Sequence, residues 1–311
     1  MKRELLYKMT SPYRDDFNIY GYRFGEGEKT LAVVGALRGD EIEQQYTCAV
    51  LVNTLKELEE GGALIPGCEI LVVPSVNPFS MNIGKRFWSM DNTDINRMFP
   101  GYDKGETTQR IAAALFESVK EYKYGIQFAS YYIPGGFIPH VRMLRTGFQA
   151  EKEASYFGLP YIYLREVTPY DTTLLNYNWQ MWNSKAFSLY TGNTERLERR
   201  NIETAIDAMM RFMARIGVVS VSARPGYMAQ IISDANIVSV STSSSGVFHN
   251  LKIAQTRVRA GEVLAQVVDP YDASLRESIV SPVNGVIFFN HEKPLVVEGT
   301  RLFQIIEDYI I

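Results

Sequence analysis

Cysteine and histidine are scarce in this sequence, and neither a long apolar run nor an excess of charge of one sign is present. The two cysteines, Cys48 and Cys68, lie in apolar patterns typical of small core residues rather than of a disulfide framework. No apolar run reaches the roughly 18 residues of a membrane span, and the charged N-terminus lacks the apolar segment of a signal peptide. A net charge of −3 implies no general attraction to nucleic acid or anionic membranes. We therefore expect a cytoplasmic protein without nucleic-acid or membrane partners.

Apolar segments of strand length alternate with helix patterns over most of the chain. The segment TLAVVGAL precedes Asp40, a good helix N-cap, and a helix pattern from about Glu41 to Glu59. Further strand patterns are CEILVVP, YGIQFA, FIPHVRML, LPYIYLRE and KAFSLY, and further helix patterns are QRIAAALFESVKE and the stretch from about Thr194 to Ile216. Continuous apolar strands that alternate with helices predict an α/β domain in residues 1–218, with a mainly parallel sheet covered on both faces.

The pattern changes after Gly217. Residues 219–311 contain short alternating segments rich in Val and Ser, separated by turns of Gly, Pro and Asn. This pattern predicts a small all-β C-terminal domain. Its short strands resemble biotinyl/lipoyl carriers, but Val283 and Asn284 stand at the turn where a carrier presents lysine. We interpret the domain as structural or oligomer-forming, so a homo-oligomer is one expected assembly.

A long polar segment, NPFSMNIGKRFWSMDNTDINRMFPG, follows the second of these strands. Loops of this length inside compact domains are usually functional or disordered, and its aromatic and Met residues argue against disorder. Arg86 and Arg97 are candidate anion clamps, because guanidinium groups bind carboxylates with two parallel hydrogen bonds. Asn96 is a candidate for holding a polar group of a substrate. In the alternative interpretation, Asp91 and Asp94 pair with the arginines and only brace the loop.

Five motifs follow one another along the chain: GALRGDE, NPFSMNIGKRF, DINRMFPG, YGIQFAS and FSLYTGN. In this order they resemble the succinylglutamate desuccinylase/aspartoacylase family of the zinc carboxypeptidase superfamily. That family has a strand ending in G-x-H-G-[DN]-E, a loop with N-P, G-x-R and D-[LM]-N-R-x-F-P-G, a strand ending in D-L-H, and a later strand with T-x-E. The resemblance covers nearly the whole chain and implies a carboxypeptidase-like domain followed by a β domain.

The resemblance also implies a zinc-dependent hydrolase site, in which three ligands hold zinc and a glutamate activates water. The first histidine ligand falls on Arg38 and the second on Ala129, whereas the carboxylate ligand is retained as Glu41. The catalytic glutamate falls on Tyr190. An arginine has no lone pair for a metal, an alanine has no donor atom, and a tyrosine with a reference pKa of about 10 is a poor base at neutral pH. The resemblance therefore implies a degenerate metal site.

The substrate-facing half of the family site is better preserved. Asn96 and Arg97 match the family's substrate-binding pair, and Arg86 matches its loop arginine. With Arg38 they would form an anion-binding site that needs no metal. His140 follows the strand that lost its histidine ligand, but a lone histidine is more often a packed residue than a ligand.

Three functions remain open from the sequence. The leading hypothesis is a non-catalytic family member without a cofactor, which binds a small carboxylate-bearing molecule or accompanies an active paralogue. The second is an active metal-dependent deacylase or amidohydrolase that acts on an N-acyl amino acid or a related amide or ester, with zinc as its cofactor. The third is a structural subunit with a vestigial pocket.

These hypotheses carry geometric expectations. The strands that begin near the following residues should share one mainly parallel sheet: Leu31, Ile70, Gly125, Tyr161 and Ala186. Arg38, Arg97 and Tyr190 should converge near the carboxyl ends of its strands. A buried Glu41 without a metal requires a cation, so we predict an ion pair between Arg38 and Glu41 rather than an Arg38 turned towards solvent.

Overall fold

The computed structural model describes residues 1–192 and 196–308. The first ten strands are β1 (Lys2–Met9), β2 (Phe17–Phe24), β3 (Gly27–Ala36), β4 (Gly67–Ser75), β5 (Tyr124–Phe128), β6 (Gly135–Phe137), β7 (His140–Leu144), β8 (Tyr161–Arg165), β9 (Lys185–Tyr190) and β10 (Gln230–Ser233). The helices are α1 (Ile42–Glu60), α2 (Pro78–Met81), α3 (Thr107–Val119), α4 (Glu151–Ala154), α5 (Leu175–Met181) and α6 (Arg199–Ile216). Short 3₁₀ turns cover Ile95–Arg97, Ser155–Phe157, Pro169–Asp171 and Asp234–Asn236.

Within the described residues, nine strands form one sheet in the order β1-β2-β4-β3-β5-β9-β7-β8-β10. Strands β4, β3, β5 and β9 are parallel neighbours, and so are β7, β8 and β10. The five strands expected to share a sheet do so. The sheet as a whole is mixed, because β7 runs antiparallel to β9 and because β1 and β2 form an antiparallel edge.

Helices cover both faces of the sheet, as the apolar strands predict. Leu31 and Val33 of β3 pack in one core cluster with residues of α1 and α6. The alternate residues Ala32 and Val34 pack in a second cluster with residues of α3 and α5. Successive side chains of a strand point to opposite faces, so a strand buried on both faces must be apolar throughout.

The first and last long helices are described from later residues than the sequence predicts. The predicted N-cap Asp40 is wrong: α1 begins at Ile42, and the Asp40 carboxylate accepts a hydrogen bond from Arg86 instead of capping the helix. The predicted start of the last helix at Thr194 lies outside the described residues, and α6 is described from Arg199. In the described part of the chain, no helix has both the length and the apolar character needed to cross a bilayer.

The C-terminal region contains β11 (Ile237–Ser241), β12 (Gly246–Asn250), β13 (Arg257–Val258), β14 (Val263–Val268), β15 (Leu275–Val280), β16 (Gly285–His291), β17 (Leu295–Val296) and β18 (Arg301–Glu307). They form two sheets, β11-β18-β16-β13 and β15-β14-β12-β17, around their own apolar core. Strand β6 pairs with β16, which joins the first of these sheets to the α/β region. The domain boundary at residue 219 stays a prediction, but β10 follows that residue and pairs with β8 in the large sheet.

Candidate functional site

A pocket of about 510 Å³ lies at the carboxyl ends of the central parallel strands. Arg38 follows β3, Ala129 follows β5, and Tyr190 ends β9. The long loop after β4 contributes Asn96 and Arg97 to the pocket wall, together with Arg86. The prediction that Arg38, Arg97 and Tyr190 lie in the same pocket is therefore confirmed. Their functional roles stay predictions.

Glu41 lies immediately behind the wall of this pocket, with a fully buried side chain. Its Oε2 accepts hydrogen bonds from the backbone N–H groups of Leu37 and Arg38, both at 3.0 Å. Its Oε1 accepts from Nη1 of Arg38 at 3.1 Å and from Oγ of Ser130 at 2.7 Å. A carboxylate offers about four lone-pair sites, so these four donors occupy both of its oxygens. The predicted ion pair between Arg38 and Glu41 is confirmed.

Arg38 lies between two carboxylates. Its Nε and Nη2 donate to the carboxylate of Asp94, with Nη2 to Oδ2 at 2.8 Å, while its Nη1 donates to Glu41. Burial opposes the charge of Arg38, but the two carboxylates outweigh it and raise the pKa of Arg38 above its ordinary value. The guanidinium is thus fixed in position. In the alternative interpretation of the long loop, Asp94 pairs with an arginine of that loop. Asp94 does pair with an arginine, but this arginine is Arg38, which comes from the turn after β3.

Asn96 and Arg97 occupy a 3₁₀ turn that Asp94 caps by accepting the N–H of Asn96 at 3.0 Å. The side-chain oxygen of Asn96 accepts the backbone N–H of Leu175 at 3.2 Å and so ties the loop to α5. Nη1 of Arg97 is buried and has no hydrogen-bond partner in the described residues. Burial lowers the pKa of Arg97. Arg97 lines the pocket, and Asp94 and Asp171 lie near enough to oppose part of this effect of burial.

Only some of the guanidinium N–H donors of Arg86 have hydrogen-bond partners. Its Nη1 donates to Oδ2 of Asp40 at 2.8 Å, and its guanidinium carbon lies 5.1 Å from the ring centre of Tyr132. Its Nε and Nη2 are buried and lack partners in residues 1–192 and 196–308. Arg86 lines the pocket, but these two nitrogens lie beneath its surface.

Tyr190 packs among aromatic and cationic groups. Its ring is stacked on His140, with ring centres 4.8 Å apart and an angle of 6° between the planes. The guanidinium carbon of Arg142 lies 4.1 Å from the Tyr190 ring centre. His140 is fully buried, and its Nδ1 donates to the Ile138 carbonyl at 2.8 Å. Burial lowers the pKa of His140 to about 3, so this histidine is neutral and part of the packing.

Arginines dominate the charge of the pocket wall. Among the described residues six arginines line it: Arg38, Arg86, Arg97, Arg142, Arg165 and Arg301. Asp234 is the carboxylate in that described lining, and it accepts a hydrogen bond from the hydroxyl of Tyr163. The sequence motifs missed Arg142, Arg165 and Arg301. An arginine inside the apolar segment FIPHVRML was an available signal for Arg142, whereas nothing local marks Arg301, which comes from β18.

The donor set of the pocket does not fit zinc. In the described ranges, no three His, Cys, Asp or Glu side chains are grouped closely enough to hold a metal ion. At the positions that resemble the family ligands, Arg38 and Ala129 offer no lone pair, and both oxygens of Glu41 already accept hydrogen bonds.

The structure defines an α/β protein with a mixed central sheet, a strand-end pocket and an attached β domain. Residues 27–216 match the sequence family described as the succinylglutamate desuccinylase/aspartoacylase catalytic domain. The chain therefore belongs to the succinylglutamate desuccinylase/aspartoacylase family. No curated protein sequence matches it significantly.

Solved structures show the same fold. A succinylglutamate desuccinylase from Silicibacter sp. TM1040 superposes with a TM-score of 0.82 and 17% identity, over 98% of this chain and 95% of that chain. The product-bound ectoine utilization protein EutE (DoeB) from Ruegeria pomeroyi gives a TM-score of 0.80 and 19% identity, over 99% and 95%. A succinylglutamate desuccinylase/aspartoacylase from Rhodobacter sphaeroides gives 0.79 and 18%, over 95% and 91%. At these identities the similarity concerns the fold alone.

Proposed function

We propose that the protein is a non-catalytic member of its family that binds a small carboxylate-bearing ligand. The observation that carries this proposal is the hydrogen bonding of the Glu41 carboxylate. Four hydrogen-bond donors occupy its carboxylate, and one of them is the guanidinium of Arg38. A metal at Glu41 would have to displace these donors and approach the guanidinium of Arg38, which lies 3.1 Å from Oε1, and electrostatic repulsion opposes this approach.

The position of the general base supports the same proposal. Tyr190 is 3% exposed, and its ring packs against His140 and Arg142. A phenol has a reference pKa of about 10 and does not take a proton from water efficiently at neutral pH. Hydrolysis of an amide by this chain would therefore need a base at another position.

The ligand class follows from the charge of the pocket wall. Six arginines of the described residues line it, Arg86 and Arg97 among them. Guanidinium groups form strong, charge-assisted hydrogen bonds with carboxylates. A volume of about 510 Å³ is in the usual range for small-molecule sites. A small carboxylate in the pocket would be attracted by these guanidinium groups and would offset part of their charge. The same proposal expects an active paralogue or a second copy of the chain as a protein partner, which analytical ultracentrifugation of the mixed and single proteins measures.

Two measurements on the purified full-length protein test the proposal. Elemental analysis should find zinc far below one atom per chain, and a thermal-shift screen of small carboxylates should raise the melting temperature. The matched control is Glu41→Gln, which should leave the zinc content unchanged. One zinc per chain that is lost in Glu41→Gln, together with hydrolysis of an N-acyl amino acid, would overturn the proposal in favour of an active deacylase.

A further inference from the structure

A second cavity, of about 540 Å³, lies beside α6 and shares no described lining residue with the strand-end pocket. Three segments build it: the turn before β8, the last turns of α6, and the segment between α6 and β10. The five motifs of the family resemblance lie elsewhere in the chain. We call this cavity the α6 groove and define it by Tyr156, Gly158, Arg211, Arg215, Arg224 and Tyr227.

The backbone around the α6 groove is tied to the large sheet. The N–H of Tyr227 donates to the Gly158 carbonyl at 2.9 Å, just before the two segments enter β10 and β8, which pair in parallel. Beside this bond, the fully buried ring of Phe157 stacks on Phe212 of α6, with ring centres 4.3 Å apart. The floor of the groove therefore belongs to the folded core.

Arg211 is fixed in the floor of the α6 groove. Its Nε donates to the Phe157 carbonyl at 2.7 Å. A Cβ atom at Gly158 or at Gly226 would lie 2.7 or 2.8 Å from this nitrogen, so both positions need glycine for Arg211 to fit between them. Gly158 also has a φ of +61°, a conformation that favours glycine. Within the described residues, the other two guanidinium nitrogens of Arg211 have no hydrogen-bond acceptor.

The α6 groove carries more positive than negative charge. Its described lining contains Arg211, Arg215 and Arg224 and no Asp or Glu. Asp207 stands beside the groove, with Oδ2 at 3.5 Å from Nη1 of Arg224, whose side chain is 81% exposed. Burial lowers the pKa of Arg211, and Asp207 opposes part of this effect. Three guanidinium groups and one carboxylate leave an excess of about two positive charges.

Two tyrosines complete the lining. Tyr156 and Tyr227 line the α6 groove, and Tyr227 is 69% exposed. Exposed aromatic rings stack on the planar rings of nucleobases, whichever base is present. A volume of about 540 Å³ is in the usual range for small-molecule sites. The groove thus offers cationic groups and aromatic faces to one small ligand.

We propose that the α6 groove binds a nucleoside 5′-phosphate, with the phosphate on the arginines and the base against the tyrosines. A phosphate monoester carries a charge of about −1.5 to −2 at pH 7, which matches the excess charge of the groove better than a single carboxylate does. Guanidinium groups bind phosphate oxygens through two parallel hydrogen bonds. This inference goes beyond the proposed function and does not depend on it, because the two cavities share no described lining residue.

Ligand comparison on the unmodified full-length protein tests the inference first. Isothermal titration calorimetry would use AMP, ribose 5-phosphate, adenosine and inorganic phosphate at one ionic strength. We expect AMP to bind about tenfold or more tightly than each of the other three, because only AMP offers both a phosphate and a base. No binding of AMP would overturn the proposal. Ribose 5-phosphate or inorganic phosphate binding as tightly as AMP would also overturn it, because the base would then contribute nothing.

Variants then locate the phosphate. Arg211→Gln should weaken AMP about tenfold or more, and Arg224→Gln about threefold or more, since both remove a charged donor. Arg224 is exposed, so its variant should fold even if the loss of the bond to Phe157 unfolds Arg211→Gln. The matched control is Arg200→Gln, on an exposed position of α6 outside the groove, which should leave AMP affinity unchanged. Circular dichroism checks that each variant is folded.

A crossed comparison separates the α6 groove from the strand-end pocket. Arg97→Gln should leave AMP affinity unchanged, and Arg224→Gln should leave the affinity for small carboxylates unchanged. AMP affinity lost in Arg97→Gln but kept in Arg224→Gln would place AMP in the strand-end pocket and overturn the inference. An equal loss in Arg200→Gln and Arg224→Gln would show general electrostatics and overturn it too. AMP binding by a protein that binds no carboxylate would support the inference and refute the proposed function alone.

Discussion

Arg38 donates two hydrogen bonds to the Glu41 carboxylate, one from its backbone N–H and one from Nη1. The rest of its guanidinium donates to Asp94. A single arginine thus compensates two carboxylates at the end of β3. The family resemblance puts a metal ligand at this position, and we propose that the guanidinium of Arg38 stands in its place. In this arrangement Arg38 contributes positive charge to the pocket wall.

Removing this arginine should destabilise the fold. Arg38→Ala leaves Glu41 and Asp94 without their cation, and burial makes an unpaired carboxylate unfavourable. We expect a loss of roughly 1–3 kcal/mol in the free energy of unfolding, measured by urea denaturation. The exposed pair of Arg145 and Glu166 provides the control, since Arg145→Ala should change stability by less than about 0.5 kcal/mol. Equal small effects of both variants would contradict the structural role of Arg38.

Restoring the family residues should restore zinc binding before activity. The triple variant Arg38→His, Ala129→His and Tyr190→Glu adds two imidazoles beside Glu41 and removes the guanidinium. We expect it to bind about one zinc per chain, whereas each single variant should bind little, because ligands act together. Zinc titration by calorimetry measures both. Adding Glu41→Ala to the triple variant should abolish the binding, and retention of zinc there would show that the ligand set is wrongly assigned.

Loss of Arg97 should affect binding more than folding. Nη1 of Arg97 is buried without a hydrogen-bond partner in the described residues, so Arg97→Gln removes a charge from the pocket wall at the loss of few internal hydrogen bonds. We expect carboxylate affinity to fall about tenfold or more, since hydrogen bonds to charged groups contribute roughly 1.5–3 kcal/mol. The free energy of unfolding should change little. Arg200→Gln, on an exposed position of α6, is the control and should bind as the unmodified protein does. A loss of stability without a loss of affinity would refute the binding role.

Stability should depend on pH through Glu43. Burial raises the pKa of Glu43 from 4.5 to about 7, even though the carboxylate accepts the backbone N–H of Glu198 at 2.9 Å. The folded state therefore holds a proton that the unfolded chain releases between pH 4.5 and about 7. Stability contributed by the protonated form is present below this window and is lost as the pH rises through it.

Urea denaturation at pH 5 and pH 7.5 checks this dependence. Glu43→Gln cannot ionise, so we expect the difference in stability between the two pH values to be smaller in the variant than in the unmodified protein. Glu57→Gln, on a more exposed part of the same helix, serves as the control and should keep the original difference. An unchanged difference in Glu43→Gln would assign the pH dependence to other groups.

Features that depend on residues close together in the chain could be predicted from the sequence. The apolar segments were continuous enough to indicate strands buried on both faces, and β3, β5 and β9 lie in one sheet. The ion pair of Arg38 and Glu41 spans three residues of one turn, so a buried carboxylate and a nearby cation were enough to predict it. The ordered motifs were enough to indicate the family that the match over residues 27–216 shows.

Predictions from local sequence rules were wrong where a residue distant in the chain competed for the same side chain. Asp40 has the side chain of a good N-cap, yet Arg86, 46 residues further along the chain, takes its carboxylate. A charge-assisted hydrogen bond to a guanidinium is stronger than a neutral capping bond, so the long-range partner prevails. The pairing of Arg38 with Asp94, 56 residues away, follows the same principle.

The sequence by itself indicated the central strands of the large sheet and the family, and it placed an arginine where the resemblance expects the first metal ligand. Only the tertiary structure decided that Arg142 on β7 and Arg301 on β18 face the same pocket as Arg97, and that Ser130 completes the shell of Glu41. The reason is physical: strand pattern and turn chemistry act over a few residues. The electrostatics of a pocket sum over side chains from separate strands and loops, which only packing brings together.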